Sequence, residues 1–580
     1  MNHLPLAFAL FAATLSCAAT VRIEGTNGAW RLTRNGQPYF IQGGGGGGSM
    51  ALLKAIGGNS NRTWGSDKAK EQLDEAHRLG MTLTVGHWFG HEQHGFDYTD
   101  AQALARQKED LRRVVLAHRN HPALLMWALG NEMENGCSHP RELWNHIEDC
   151  ARMVKALDPN HPVMTVVAEV PDEKVRLIHE LCPSVDVVGI NSYGGAGSLA
   201  QRWAKAGGRK PYVVTEFGPP GQWEVKVNGI GCPEELTSTE KGAVYARVWE
   251  SIAAQKGRMC LGGYAFTWGW KVEATPTWYG LLLPDDTLLA GAEALESAWG
   301  VKGADRCPRI SRIRVSTDAP KAGEVVTAWA EGSDPDGDRL RWRWVLLQES
   351  GNYMVIGTGE PMPRGFPEAI VEGQGSARVR VRLPGGGRYR LYAYLFDGKG
   401  RGAYANVPLK GVGEAPKVSA PKAPLPFVLE GHWVASGYMG NVGAVQMSGG
   451  RFHDREALRV AYSARDNWVG VLWQSPANDW GGEHPGGFDL TGATCLEFYA
   501  RGEKGGERVS FKVGNIEKGK YPDSDRAELK DVRLRPEWTR YRVPLDGRDL
   551  SQIKTGFGWV LGGQGAPVVF YLSGMRFIRE

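Results

Sequence analysis

Cysteine is scarce in this chain: there are eight in 580 residues, and their placement excludes a zinc site and complete internal pairing. Cys17 lies in an apolar N-terminal run, so eight minus one leaves seven: Cys137, Cys150, Cys182, Cys232, Cys260, Cys307 and Cys495. No spacing among them matches a zinc pattern, and an odd count forbids complete internal pairing. One or two disulfides within the first three hundred residues would suit an oxidising compartment, but their connectivity is not legible. Net charge is also small, at +4 from 68 basic and 64 acidic residues. Without a basic block interleaved with aromatics, nucleic acid is not an expected partner. Beyond the N-terminus no run is long and apolar enough to span a bilayer. The glycine run at 43–48 follows a strand pattern, yet lacks the spacing and the following acid of a nucleotide site. It reads as room left at a barrel mouth, or as a flexible tip.

Tryptophan is plentiful, with 21 in the chain. Indole rings stack on the apolar faces of sugars, and they also fill cores, so composition alone leaves both uses open. Residues 4–19 are rich in Ala, Leu and Phe and end in small residues, which reads as a signal peptide (1–19) cleaved near Ala18 or Ala19. The expected location is secreted or periplasmic. Thr-Leu-Ser-Cys at 14–17 places Leu one position away from the usual outer-membrane lipoprotein box.

A length of 580 residues with 42% hydrophobic and 23% charged residues calls for several globular domains. Between residues 20 and 300, short apolar runs alternate with longer amphipathic ones. Strand patterns fall at 39–42, 58–63, 81–85, 124–129, 163–167, 185–190, 212–214 and 263–266. Helical patterns fall between them, including 69–79, 101–118, 143–157 and 241–254. Eight such alternations are the expectation for a (β/α)8 TIM barrel.

After residue 300 the helical period disappears. Residues 301–413 alternate strand-like, as in Leu-Arg-Trp-Arg-Trp-Val at 340–345, and read as an immunoglobulin-like β-sandwich. The acidic turn Ser-Asp-Pro-Asp-Gly-Asp at 333–338 resembles that of cadherin-like and polycystic-kidney-disease-like modules. A calcium site and a plain acidic turn are the two readings it leaves open. A Pro-rich linker at 414–426 leads to a strand-rich remainder, 427–580, read as a β-jelly-roll. Its hydrophobic spacing resembles carbohydrate-binding modules of the β-sandwich type. Trp433, Tyr438, Trp468, Trp473 and Trp480 crowd its start, as a sugar platform or as core.

Two strand ends carry the chemistry. Asn-His-Pro-Ala-Leu-Leu-Met-Trp-Ala-Leu-Gly-Asn-Glu at 120–132 and Val-Val-Thr-Glu-Phe-Gly at 213–218 are apolar runs that each end in a carboxylate. An acid at the carboxyl end of a barrel strand lies where such barrels build their active sites. Glu132 and Glu216 are 84 residues apart (216 minus 132), about three β/α units, which fits the ends of strands four and seven.

The segment 118–132, His-Arg-Asn-His-Pro through Trp-Ala-Leu-Gly-Asn-Glu, resembles the acid/base segment of glycoside hydrolase family 2, in clan A. The resemblance covers about residues 30–300. It implies a general acid/base at Glu132, a nucleophile at Glu216 and a bond from Asn131 to the sugar 2-hydroxyl. It further implies an arginine beside the nucleophile at Arg62, a tyrosine donor at Tyr193 and an aromatic subsite floor at Trp268.

The residues carry alternatives of their own. Glu134 rivals Glu132 for the acid role, Arg62 also fits a structural ion pair, and Tyr193 a core hydroxyl. His87 is a candidate cleft residue, as are Trp88, His91 and Glu92, although all four also fit a surface loop. The spacing of His87 and His91 invites a metal, but no third ligand is evident, so neither metal nor cofactor is expected. The expected function is a secreted, retaining β-glycoside hydrolase of a β-glucan or β-mannan type polysaccharide or oligosaccharide. The alternatives are a transglycosylase using the same covalent intermediate, and a non-catalytic carbohydrate-binding or adhesion protein. Two carboxyls about 5–5.5 Å apart perform retaining hydrolysis if one stays protonated and the other ionised.

Overall fold

The computed structural model describes residues 19–26, 28–303, 305–349, 353, 362–413 and 420–579. Residues 1–18 of the expected signal peptide and 414–419 of the Pro-rich linker lie outside the described residues. No helix among the described residues is long and apolar enough to cross a membrane.

An antiparallel sheet opens the chain: β1 (Val21–Thr26), β2 (Ala29–Arg34) and β3 (Gln37–Tyr39). Then β4 (Ile41–Gly45), β5 (Ser60–Arg62), β6 (Thr82–His87), β7 (Leu124–Leu129), β8 (Val163–Ala168), β9 (Val187–Asn191), β10 (Tyr212–Phe217) and β11 (Cys260–Phe266) close into a parallel barrel. A helix follows each in turn: α1 (Met50–Ala55), α2 (Ala69–Arg78), α3 (Ala101–His118), α4 (Pro140–Leu157), α5 (Asp172–Leu181), α6 (Leu199–Lys205), α7 (Ser238–Ala253) and α8 (Ala290–Ala298). This is the expected (β/α)8 barrel. Parallel strands covered by helices outside and packed side chains inside have no wet face, and every residue of β6, β7, β10 and β11 is buried.

The first barrel strand begins two residues later than its apolar pattern suggests. Tyr39 pairs with Leu32 in the opening sheet instead, its hydroxyl donating to the Asn59 carbonyl (2.8 Å). Val21 and Leu32 of that sheet share a buried cluster with Ile41, Leu125, Met126 and Leu261, plugging one end of the barrel.

The glycine run has a packing cause. A Cβ on Gly43 would lie 2.3 Å from the Tyr264 ring and 2.9 Å from the Ser60 carbonyl oxygen, and one on Gly44 would lie 2.7 Å from Trp268 Cβ. Tyr264 cannot yield, because its hydroxyl is bonded inside the barrel to Ser60 (2.9 Å) and Thr84 (2.6 Å). Glycine therefore lets Tyr264 pack inside the barrel and Trp268 pack against the other face of the first strand, beside Leu53.

Helix α7 starts on a reciprocal cap. The Thr237 hydroxyl accepts from the Glu240 amide (3.1 Å), while the Glu240 carboxylate accepts from the Thr237 amide (2.8 Å).

The barrel and the following sandwich form one compact unit. In the sandwich, a sheet of Arg341–Gln348, Gly387–Phe396 and Gly402–Gly411 shares a core with a sheet that includes Val325–Trp329 and Arg378–Arg382. Its acidic turn is an ion-paired surface turn: Asp336 meets Arg306 and Asp338 meets Lys399. Among the described residues no group of three or more His, Cys, Asp or Glu is arranged to hold a metal ion.

The second unit, which includes residues 420–579, has a six-stranded and a five-stranded antiparallel sheet, as a jelly-roll requires. Their shared core includes Phe498 and Phe511, with ring centroids 4.7 Å apart. Of the five aromatics read as platform or core, Trp433 and Trp473 are core, whereas Tyr438, Trp468 and Trp480 are exposed. All seven described cysteines are free thiols, so the one or two disulfides allowed by the sequence are not formed. Their positions follow packing instead, six of the seven being buried.

Gly43→Ala should destabilise the barrel by about 1–3 kcal/mol, the cost of overpacking against partners that cannot move. Chemical denaturation of wild type and variant checks this, and an unchanged midpoint would refute the packing account.

Candidate active site

The eight strands end on a cavity of about 930 Å³. Glu132, Glu216, Asn131, Tyr193 and Trp268 all line it. Glu216 is not beyond its strand but the fifth residue of β10, and only 5% exposed. One carboxylate oxygen accepts from Arg62 Nη1 (3.1 Å) and Trp64 Nε1 (2.7 Å). The other accepts from the Tyr193 hydroxyl (2.7 Å). Three donors from two other strand ends thus hold one carboxylate in one orientation.

Arg62 lies beneath the cavity rather than in its wall. It is fully buried at the end of β5, where its guanidinium also donates to the Thr215 carbonyl (3.0 Å) and to Asn131 Oδ1 (2.7 Å). The ion-pair and active-site readings of Arg62 are therefore one arrangement. Asn131 Oδ1 is further held by Asn191 Nδ2 (3.2 Å), which leaves the Asn131 amide nitrogen for the cavity.

Glu132 follows β7 with φ +53°, after Gly130 at φ +68°. A left-handed conformation is uncommon outside glycine and is found where surroundings over-determine the backbone. Here the Glu132 amide donates to Val166 O (2.9 Å), pinning the turn across β8. Its carboxyl accepts from Asn191 Nδ2 (2.7 Å) and Asn135 Nδ2 (3.1 Å). Burial first, and the nearby Glu216 carboxylate second, push its pKa up to about 8, against the opposing hydrogen bond from Asn191. Burial and the same neighbour also raise the Tyr193 phenol well above its ordinary value, keeping it a donor.

Glu134, the rival acid, turns away. It accepts from Lys174 Nζ (2.6 Å) and the Ala168 amide (2.8 Å) and does not line the cavity. His87 is also outside the lining, its Nδ1 bonded to the Ser66 hydroxyl at 2.9 Å. Its neighbour Trp88 does reach the cavity, stacked on His91 at 5.0 Å. Trp268 is fully buried, with Nε1 donating to Ser49 O (2.8 Å), so it forms a fixed part of the wall.

Several site residues escaped the sequence reading. Trp64 and Asn191 hold the two carboxyls, and Tyr279 packs on Tyr193 at 5.4 Å. Trp64 had a usable signal, since it follows Arg62 by two positions, the period at which an extended chain repeats a face. Tyr279 had none: it comes from a loop after the last strand. A titration checks the electrostatics: in ¹³C NMR of labelled glutamate, Glu132 should titrate near 8, and Glu216→Gln should lower that value by removing a like charge. An ordinary carboxyl titration in wild type would sink the account.

Residues 50–236, which contain Arg62, Asn131, Glu132, Tyr193 and Glu216, match the family model "Glycosyl hydrolases family 2, TIM barrel domain". A β-glucuronidase of Paenibacillus borealis is 27% identical over 237 residues, 34% of this chain and 38% of the relative. A β-glucuronidase of Sus scrofa is 26% identical over 190 residues, 29% of this chain and 26% of the relative. The matches thus span well under half the length of these relatives. Among solved structures, the β-D-glucuronidase of Dictyoglomus thermophilum aligns with TM-score 0.40 and 18% identity, covering 49% of this chain and 54% of that one. Over residues 50–236 the barrel of this chain is thus similar to the TIM barrel domain of glycoside hydrolase family 2.

Proposed function

We propose that the chain is a retaining β-glycosidase acting on neutral β-linked saccharides by double displacement. The observation that carries the reaction is the pairing of Glu216, held by three donors, with Glu132, whose pKa is raised to about 8. Near neutral pH Glu132 is protonated and donates its proton to the leaving glycosidic oxygen. Glu216 attacks the anomeric carbon, forming a glycosyl ester as the bond to that oxygen breaks. Glu132, now a carboxylate, takes a proton from water, whose oxygen displaces Glu216 with overall retention. A sugar alcohol in place of that water would give transglycosylation. An adhesion protein would need neither carboxyl.

The charge of the cavity supports a neutral sugar. Glu132, Glu169, Glu216, Glu224, Glu273 and Asp286 line it, against one cation, Lys271. Lys271 is engaged by Glu273 at 2.5 Å and lies over the Phe266 ring at 5.4 Å. A uronic acid would bring a further carboxylate to this wall, with no uncommitted cation among the described lining residues to receive it. Lining tryptophans, among them Trp64, Trp88, Trp223 and Trp270, offer ring faces to neutral sugars. The names of the relatives favour a second reading, cleavage of β-glucuronides. Export rests on the N-terminal apolar run, and glycan binding by the C-terminal unit on exposed Tyr438, Trp468 and Trp480.

The deciding assay follows product anomers by ¹H NMR on β-glucans, β-mannans and aryl β-glycosides, glucuronides included. Wild type should release the β-anomer first from a neutral substrate, and Glu216→Gln should lose at least about a thousandfold in kcat. Above pH 8 the rate should fall as Glu132 deprotonates. A clear preference for glucuronides would replace the neutral-sugar reading, and first release of the α-anomer would refute retention.

A further inference from the structure

A buried polar cluster links the sandwich that follows the barrel to a loop of the active site. The loop at 273–280, between β11 and α8, folds back over the cavity end of the barrel. Thr267 N donates to Tyr279 O (3.0 Å) and Leu281 N to Thr267 O (3.1 Å). Glu273 lines the cavity, and the Tyr279 ring packs on Tyr193 (5.4 Å) and Phe266 (5.2 Å). Tyr193 is the phenol that donates to Glu216. This loop is therefore the outer support of the nucleophile's tyrosine.

Three side chains hold the loop, Tyr404, Lys241 and Glu235, and the first belongs to the sandwich. The hydroxyl of Tyr404, on strand Gly402–Gly411, donates to the Thr277 carbonyl (2.6 Å) and accepts from Lys241 Nζ (2.9 Å). Lys241, on α7, also donates to the carbonyls of Thr277 (2.9 Å) and Trp278 (2.7 Å) and to Glu235 (2.6 Å). Glu235 accepts from the hydroxyls of Thr275 (2.6 Å) and Thr277 (2.8 Å) and, from the sandwich, from Asn406 Nδ2 (2.7 Å). Tyr404 is 1% exposed, Lys241 4% and Glu235 6%. A buried charge pair fully satisfied in this way confers little net stability but tolerates few geometries. Such a cluster suits the fixing of a loop.

We propose that Tyr404 is a positioning residue for catalysis: the sandwich locks the loop at 273–280, and through Tyr279 and Tyr193 it sets the orientation of Glu216. On this account the sandwich is a working part of the catalytic unit and not a spacer between barrel and C-terminal unit. The kinetic readout rests on the glycosidase reading above. The loop readout does not.

The test uses the full chain with Tyr404→Phe, which keeps the ring and removes the hydroxyl. Val381→Ala, in the sandwich core away from the cluster, serves as the purely structural control. Steady-state kinetics and amide hydrogen exchange are measured on both. Tyr404→Phe should lower kcat about tenfold with KM within about twofold, since small misplacement of reacting groups is costly in rate. Exchange of amides at 273–280 should rise at least about tenfold. Val381→Ala should lower the unfolding midpoint and change neither readout. Wild-type kcat or wild-type exchange in Tyr404→Phe would overturn the proposal, as would an equal loss of kcat in Val381→Ala. Should wild type turn over no glycoside, the hydrolase reading fails, and loop exchange alone decides whether Tyr404 locks the loop.

Discussion

A guanidinium with no exposure must be surrounded by acceptors, and the barrel mouth is arranged around that requirement. Arg62 is held by the Thr215 carbonyl, Glu216 and Asn131, which come from the ends of β10 and β7. Removing one partner of such a buried pair costs about 3–5 kcal/mol, so the three strand ends are held in mutual register by a single side chain. The same bonds aim one oxygen of Glu216 and the amide nitrogen of Asn131. Folding and preorganisation are here one interaction, which means that an ion pair at this position is neither merely structural nor merely functional.

Around this fixed point, two carboxyls of the same chemistry take different roles by environment. Glu216 meets Arg62, Trp64 and Tyr193, all of them donors to its oxygens. Glu132 accepts from two side-chain amides, in a half-buried position beside a like charge, and is driven toward its protonated form. Asn191 touches both Glu132 and Asn131, linking the acid to the residue that Arg62 orients. On the proposed reading, the acid/base division follows from which strand end delivers donors and which delivers amides.

The acidic wall and the committed lysine separate two questions that sequence similarity runs together. The family match concerns residues 50–236, which carry the pair of glutamates in strands and their immediate turns. Part of the cavity wall, Lys271, Glu273 and Asp286, lies in a loop outside that match. Loops vary freely where strands cannot, because they make fewer obligatory backbone pairings. The family match therefore does not reach that part of the wall.

What could be read from the amino-acid order was whatever depends on local period. Apolar runs at 124–129 and 212–214, helical stripes at 101–118, and carboxylates closing two strands are properties of neighbours along the chain, and they located the barrel, Glu132 and Glu216. Strand edges were less legible: Tyr39 belongs to the opening sheet because its partner, Leu32, lies in β2. His87 carried the right residue type on the right strand, but its ring is taken by Ser66. Trp433 and Trp468 looked alike in sequence, and only sheet packing sent one inward and left the other exposed. Tyr279, Tyr404 and Lys241 reach the site through contacts between segments 36 to 163 residues apart. Such encounters leave no periodic trace. By itself the sequence determined the barrel and its two carboxyls, since burial and strand ends repeat along the chain. Only the tertiary structure decided what surrounds those carboxyls, because charge and hydrogen bonding depend on distance in space.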